Sequence, residues 1–168
     1  MSDTPSAAAT PAAPYQHEVA VQSPLTLIMK IKSPADYVQL NTMLTALQAA
    51  PPEHNKVWAA LELLKTVHFA RFVFMENNTR LAVITTYDGK FEDYIADFTR
   101  VIGDIFNRLL AHMEDAPPLP VQDHPKEFLK YVFDNDLRGM PPFYSAYPKA
   151  TVTDIHAAFA AQKEFEGG

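Results

Sequence analysis

Residues 67 to 98 constrain the fold more than any other part of the chain, because two β-rich runs and an amphipathic helix follow one another there. The runs Val67 to Met75 and Leu81 to Tyr87 are separated by ENNT, whose paired asparagines tolerate the left-handed backbone of a hairpin turn. After the pair DG, apolar residues recur at helical spacing from Phe91 to Met113. The stretch predicts a β-hairpin followed by a long helix with one buried face.

The segment before the hairpin predicts one strand and a broken helix. PLTLIMKIK alternates apolar and polar residues, which is typical of a strand with one buried face. In SPAD, Ser33 is placed to cap a helix whose first residue is Pro34, with Asp36 three residues after the cap. Pro51 and Pro52 interrupt the helical pattern, which then resumes.

The segment after the long helix predicts two shorter helices with an extended aromatic segment between them. In the first, Asp123 is placed to cap the helix and Pro125 lies in its first turn, and PPFYSAYP then reads as a short strand or extended segment. Thr151 and Asp154 stand at capping-box spacing at the start of the last helix.

The element order β, α, β, β, α and a final extended segment predicts the α+β class. Its specific form is a ferredoxin-like antiparallel sheet with helices on one face. Strict alternation places two sets of side chains of the second strand on opposite faces: Val67, Phe69, Val73 and Met75; and Ala70, Phe72 and Phe74. A sheet that is apolar on both faces is usually covered on both, so we expect a homodimer.

Composition limits the chain to one domain and to few classes of partner. With 168 residues and 48% hydrophobic content, we expect a single domain over 24–165 and, from the Ala, Pro, Ser and Thr content, a disordered tail over 1–23. A net charge of −6 argues against nucleic acid and membrane partners. The absence of cysteine excludes disulfides, and the absence of a signal peptide or spanning run predicts a soluble, cytoplasmic protein.

The residues HFARFVF, TRLAVITTYDGKFEDYIADF and FYSAYPKATVTDI resemble the repeated YDG and YSAYP domain of uncharacterised bacterial proteins. They are also generally similar to the dimeric α+β barrel superfamily, which includes dye-decolourising peroxidases and chlorite dismutases. The match covers about half of the chain. The resemblance implies that two ferredoxin-like units close a barrel, with a cavity between helices and sheet.

The hairpin carries four candidate ligand-binding residues. Tyr87 and Asp88 belong to YDG, where Asp88 is placed either to cap the following helix or to act as an acid or base at a cavity mouth. His68 and Arg71 are three residues apart on a strand, which predicts opposite faces. Arg71 needs an anionic partner, either a structural carboxylate or a ligand.

Other candidates lie in the second half of the chain. Tyr144 and Tyr147 in FYSAYP offer hydroxyl groups that could orient a substrate, or rings that could seal a sheet edge or a dimer interface. His112 and His156 are weak candidates for a haem ligand, because neither has a local motif and helix-end or surface positions also explain them.

Two functions follow from these observations. One is an α+β barrel homodimer that binds haem or another small hydrophobic molecule, with oxidoreductase activity as one version. The alternative is a noncatalytic accessory or assembly module whose barrel is filled by its own side chains. The sequence does not decide whether the protein is an enzyme, and it names no cofactor beyond haem.

Overall fold

The computed structural model of the protein describes residues 21–138 and 143–166. Over these residues the protein is α+β, with a three-stranded antiparallel sheet in the order β1-β3-β2. The strands are β1 (Gln22–Lys30), β2 (Val67–Met75) and β3 (Arg80–Asp88). The helices are α1 (Pro34–Ala49), α2 (Lys56–Leu64), α3 (Phe91–Leu110), α4 (Pro125–Asn135) and α5 (Val152–Glu166), with a short 3-10 turn at Pro52–His54. The predicted α+β class is confirmed.

Local sequence signals account for several element boundaries. The side chain of Ser33 accepts a hydrogen bond from the backbone N–H of Asp36, and Pro34 opens α1 as predicted. The hairpin between β2 and β3 turns at residues 76–79, where Asn77 and Asn78 have φ angles of 53° and 66°. The predicted capping box is also present, because the N–H of Asp154 donates to the hydroxyl of Thr151.

The sequence predicts either a short strand or an extended segment in PPFYSAYP, and the strand alternative is wrong for the residues described, since residues 143–148 contain no strand. Its residues 141 and 142 lie outside the described ranges. The outer edge of β1 is instead met by the residues that follow α4: Leu27 pairs with Asp136, and the N–H of Leu137 donates to the carbonyl of Thr26 at 3.0 Å. The segment 143–150 folds over the side chain of Gln22 at the end of the sheet.

The strand β1 begins at Gln22, inside the range predicted for the tail, and residues 1–20 lie outside those described. Gln22 is 5% exposed and donates to the carbonyl oxygens of Tyr147 and Ala150, at 2.8 and 2.7 Å. This buried amide therefore ties the start of the sheet to the chain that leads into α5.

The helices cover one face of the sheet, and the space between them is filled by side chains. Tyr87 of β3 stacks on Tyr94 of α3 with ring centroids 4.0 Å apart. Phe98, Phe106 and Phe128 continue this aromatic row in edge-to-face contacts. In the described part of the chain, the cavity between sheet and helices that is lined by Val83, Tyr94 and Phe128 has a volume of about 10 Å³. Such a volume is too small for any ligand.

The other face of the sheet, which we call the open face, carries apolar side chains that do not belong to the core. In the register of the strands, directly paired residues share a face. The open-face residues used below are Ile28 of β1, Phe69, Arg71, Val73 and Met75 of β2, and Ile84 of β3. None of these six side chains is among the residues of the hydrophobic core or among those packed on it.

A β-bulge at the start of β2 breaks the alternation that the sequence predicts. Val67 pairs with Tyr87 and Phe69 pairs with Thr86, so two residues of β2 are opposite one step of β3 and His68 is the extra residue. Val67 therefore lies on the helix-covered face and Phe69 on the open face. The prediction that these two residues share a face is wrong. The predicted sharing of a face by Phe69, Val73 and Met75 agrees with the register.

Candidate functional site

His68 and Asp88 form the most buried ion pair among the described residues. Nε2 of His68 lies 2.7 Å from Oδ1 of Asp88, and the two side chains are only 6% and 9% exposed. The bulge allows this contact, because it turns His68 toward Asp88 at the end of β3. A buried carboxylate that meets an imidazole fixes which ring nitrogen carries the proton and how the ring is oriented.

Asp88 also caps a helix, but not the one that the sequence predicts. The residue before α3 is Lys90, which makes no side-chain capping bond, whereas Oδ2 of Asp88 accepts the N–H of Val152 at 2.8 Å. Val152 is the first residue of α5 and is 64 positions away in sequence. The predicted capping role is therefore correct in kind and wrong in the helix that is capped.

His68 lines a groove at the outer edge of β2, between the end of α2 and the start of α5. The groove has a volume of about 240 Å³, and its walls include Leu61, Lys65, Phe69, Val152 and His156. This volume lies below the roughly 300 to 1,000 Å³ of sites that enclose a drug-sized ligand. The groove has space for a small polar molecule and does not enclose a haem group.

The other two hairpin candidates, Tyr87 and Arg71, do not line this groove. Tyr87 lies on the helix-covered face, where burial raises the pKa of its hydroxyl to about 12 and a hydrogen bond with Ser23 partly opposes the shift. Arg71 lies on the open face, exposed, and forms no ion pair with a described residue, so the predicted structural ion pair is absent from that part of the chain. The sequence predicts that His68 and Arg71 lie on opposite faces of the sheet. The bulge changes this, because His68 contacts Asp88, which lies on the open-face side as Arg71 does.

The two tyrosines of FYSAYP are exposed and do not line the groove. Tyr144 and Tyr147 are 84% and 67% exposed, and the segment is held instead by Ser145, whose hydroxyl donates to the Gln22 side chain at 2.8 Å. Sequence reasoning therefore singled out the tyrosine rings, while Gln22 and Ser145 fix the segment. A glutamine inside the predicted tail carries no local signal of this role.

His112 forms a second histidine–carboxylate pair, at the opposite end of the sheet. Its Nδ1 lies 2.9 Å from Oδ1 of Asp36, and both side chains are about one quarter exposed. A hydrogen bond from Ser33 and a second from His112 hold the pKa of Asp36 below its ordinary value. His112 lines a shallow cleft of about 420 Å³ between α1 and α3, together with Met43 and Arg108.

Neither histidine site gathers a metal-binding set. In the ranges 21–138 and 143–166, no group of three or more His, Asp or Glu side chains could hold a metal ion. His156 is exposed at the rim of the groove. No described helix is long and apolar enough to cross a membrane.

The groove can hold and orient a proton on His68, but it lacks the other parts of a hydrolytic site. Nucleophilic catalysis needs a hydroxyl or thiol within hydrogen-bond reach of the histidine. The groove is lined by apolar, histidine, lysine and glutamate side chains, with no serine, threonine or tyrosine. The contacts of Asp88 with His68 and with the N–H of Val152 connect the hairpin to the first turn of α5.

Comparison of the chain with protein-family models, with curated proteins and with solved structures found no match.

Proposed function

We propose that the protein is a noncatalytic accessory or assembly module that forms a homodimer through its open face. The observation that carries this proposal is the set of apolar open-face side chains outside the core. Phe69 is exposed, Ile28, Val73, Met75 and Ile84 are half-buried, and Ile84 lies at the centre of the sheet between Thr26 and Arg71. Large exposed apolar patches are uncommon on monomeric proteins and are typical of interaction surfaces. A second copy offers a matching surface, because a twofold axis brings the same patch to both sides of the interface.

The filled core favours this module over a ligand-binding barrel. Haem-binding and substrate-binding versions of the predicted fold need a chamber between sheet and helices. The cavity of about 10 Å³ at that place holds less than one water molecule. The residues of this layer therefore do not fit a haem group, and we derive no oxidoreductase step from them.

The topology supports a ferredoxin-like unit as the finer description of the fold. The order β1-β3-β2 with α1 and α2 between β1 and β2 is the arrangement of such a unit without its last strand. The chain after α4 pairs with β1 where that last strand would lie. Together with the resemblance to dimeric α+β barrels, this order favours two copies that face each other across their sheets.

Sedimentation velocity over a dilution series from tens of micromolar to low micromolar tests the proposal. We expect the wild-type chain to sediment as a dimer and Ile84→Asp as a folded monomer, because the charge would be desolvated at the centre of the interface. Ile84→Thr keeps the β-branched shape and should weaken the dimer without loss of the fold. A wild-type chain that is monomeric at every concentration would overturn the proposal.

A matched control comes from α1. Val38 is 58% exposed on the outer surface of α1, away from the sheet, so Val38→Asp adds the same charge elsewhere. This variant should remain dimeric. Circular dichroism confirms that each variant is folded before its mass is interpreted.

A second candidate function is binding of haem or of another small hydrophobic molecule at the cleft beside His112. The observation that favours it is the orientation of the His112 imidazole by a carboxylate, since Nδ1 contacts Asp36 and the ring lines the cleft of about 420 Å³. Metal-ligating histidines commonly have such a partner on their other nitrogen.

Titration with hemin tests the second candidate. A shifted Soret band that is lost in His112→Ala and retained in His156→Ala would support it. An unshifted hemin spectrum, or equal spectra for wild type and His112→Ala, would remove it.

A further inference from the structure

The cleft beside His112 has one wall from α1 and one wall from the end of α3. The wall from α1 consists of residues at spacings of three and four, which place them on one side of the helix: Gln39, Thr42, Met43 and Ala46. The other wall consists of Arg108, Ala111 and His112. The volume of about 420 Å³ falls within the roughly 300 to 1,000 Å³ of small-molecule sites. Since both helices cover the packed face of the sheet, the cleft is separate from the open face.

The imidazole of His112 is held in one orientation by Asp36. Nδ1 of His112 lies 2.9 Å from Oδ1 of Asp36, and the second oxygen of this carboxylate accepts the hydroxyl of Ser33. The hydrogen bonds from Ser33 and from His112 lower the pKa of Asp36, so its carboxyl group is ionised at neutral pH. An ionised carboxylate only accepts, so Nδ1 carries the proton. In the neutral imidazole, Nε2 is then an acceptor, and it has no partner among the described residues.

Arg108 places a positive charge next to this acceptor. It precedes His112 by four residues, about one helical turn, and both side chains line the same wall. Arg108 is exposed, and it makes no ion pair or hydrogen bond with any described residue. The cleft therefore presents a free guanidinium group and an oriented acceptor side by side.

The charge around the cleft is positive, although the whole chain has a net charge of −6. No aspartate or glutamate of the described residues lines the walls. Nζ of Lys32 donates to the carbonyl oxygen of Ala111 at 2.7 Å. Among the cleft residues and the groups hydrogen-bonded to them, Arg108 and Lys32 outweigh the single negative charge of Asp36. Such a local excess of positive charge attracts an anion.

We propose that this cleft binds a small organic carboxylate that carries a neighbouring hydroxyl or amino group. The carboxylate pairs with the guanidinium group of Arg108, whose planar arrangement of N–H donors matches its two oxygens. The hydroxyl or amino group donates to Nε2 of His112, and the apolar part of the ligand contacts Met43. The inference rests on the second candidate function for the cleft as a ligand site, names a different class of ligand and does not depend on the homodimer.

Calorimetric titration with two probes that differ by one group tests the proposal. Mandelate has a carboxylate, an adjacent hydroxyl group and an apolar ring, and phenylacetate is the same molecule without the hydroxyl. Wild type should bind mandelate about fivefold more tightly, because mandelate adds one hydrogen bond. Arg108→Gln should weaken the binding of both probes by about tenfold or more, because it removes the charge-assisted pair. His112→Ala should abolish the difference between the two probes.

Arg100→Gln is the matched control, since Arg100 is another exposed arginine of α3, pairs with Asp97 and does not line the cleft. Both dissociation constants should stay within about twofold of wild type in this variant. Circular dichroism confirms that each variant is folded. A further measurement needs no substitution: mandelate should shift the ¹⁵N NMR signal of Nε2 in His112, and phenylacetate should shift it less.

A wild-type chain that binds neither probe at about 10 mM would overturn the proposal, and so would unchanged dissociation constants in Arg108→Gln. Equal constants for mandelate and phenylacetate in wild type would overturn the contact with His112 and with it the class of ligand. Hemin binding that depends on His112, without mandelate binding, would overturn this inference and leave the second candidate function standing. Mandelate binding without a shifted hemin spectrum would do the reverse.

Discussion

At the scale of single residues, His68 and Asp88 show how one carboxylate can serve two distant parts of the chain. One oxygen of Asp88 binds the imidazole and the other binds the first N–H of α5. Both side chains are more than nine-tenths buried, so neither can replace its partner with water. The pair is therefore a structural connection between the hairpin and the last helix.

We expect Asp88→Ala to lower the free energy of unfolding by about 2 to 4 kcal/mol, because it leaves a buried imidazole without its partner and α5 without its cap. Urea denaturation followed by circular dichroism measures the loss. Asp97→Ala is the control, since Asp97 is an exposed carboxylate whose ion pair with Arg100 is worth no more than about 0.5 kcal/mol. Equal unfolding midpoints for Asp88→Ala and wild type would contradict the connection.

At the scale of elements, β2 and its hairpin combine predictable and unpredictable features. The turn at residues 76–79 follows from the asparagines, which adopt positive φ at a lower cost than other side chains. The bulge at His68 has no such local signal. It depends on the contact with Asp88 of β3, which only the paired hairpin brings within reach.

The turn gives a prediction at this scale. Asn78 has a φ angle of 66°, so Asn78→Ala should lower the free energy of unfolding by about 1 kcal/mol, while Asn78→Gly should leave it unchanged or raise it slightly. Urea unfolding of the three chains measures the order. An alanine variant as stable as the glycine variant would show that the left-handed backbone is not required there.

At the scale of the whole molecule, the two faces of the sheet differ in how completely they are covered by other parts of the chain. The helix-covered face is packed until almost no volume remains, and the open face has no cover from the core. Association is therefore the proposed outcome for the open face.

Burial raises the pKa of Tyr87 to about 12, and burial also raises the pKa of Tyr94 above its ordinary value. The folded state therefore favours the neutral phenols, and this contribution is fully present below pH 10, the ordinary tyrosine value, and is lost as the pH rises through about 12. We expect stability to fall with rising pH above about 10, and to fall less steeply in Tyr87→Phe. Urea midpoints measured across this range test the slope.

The control for this experiment is Tyr144→Phe, which changes a ring that is 84% exposed. Its midpoints should follow those of wild type at each pH. A Tyr87→Phe profile that also coincides with wild type would mean that the buried hydroxyl makes no contribution to the alkaline transition.

The sequence by itself determined the features that depend on neighbours along the chain: the Ser33 cap, the asparagine turn, the stripe of α3 and the capping box of α5. These depend on backbone preferences and side-chain periodicity over a few residues, which the sequence displays directly. The α+β class follows from the same local patterns.

Only the tertiary structure decided which distant groups meet. The sequence placed Asp88 at the start of α3 and left a strand or an extended segment open at FYSAYP, but Asp88 caps α5 and residues 143–148 contain no strand. The filled volume beneath the sheet is also a result of packing, since no local pattern measures the space between layers. Contacts between residues more than 60 positions apart depend on how the elements pack in three dimensions, and a single sequence carries no local signal of that arrangement.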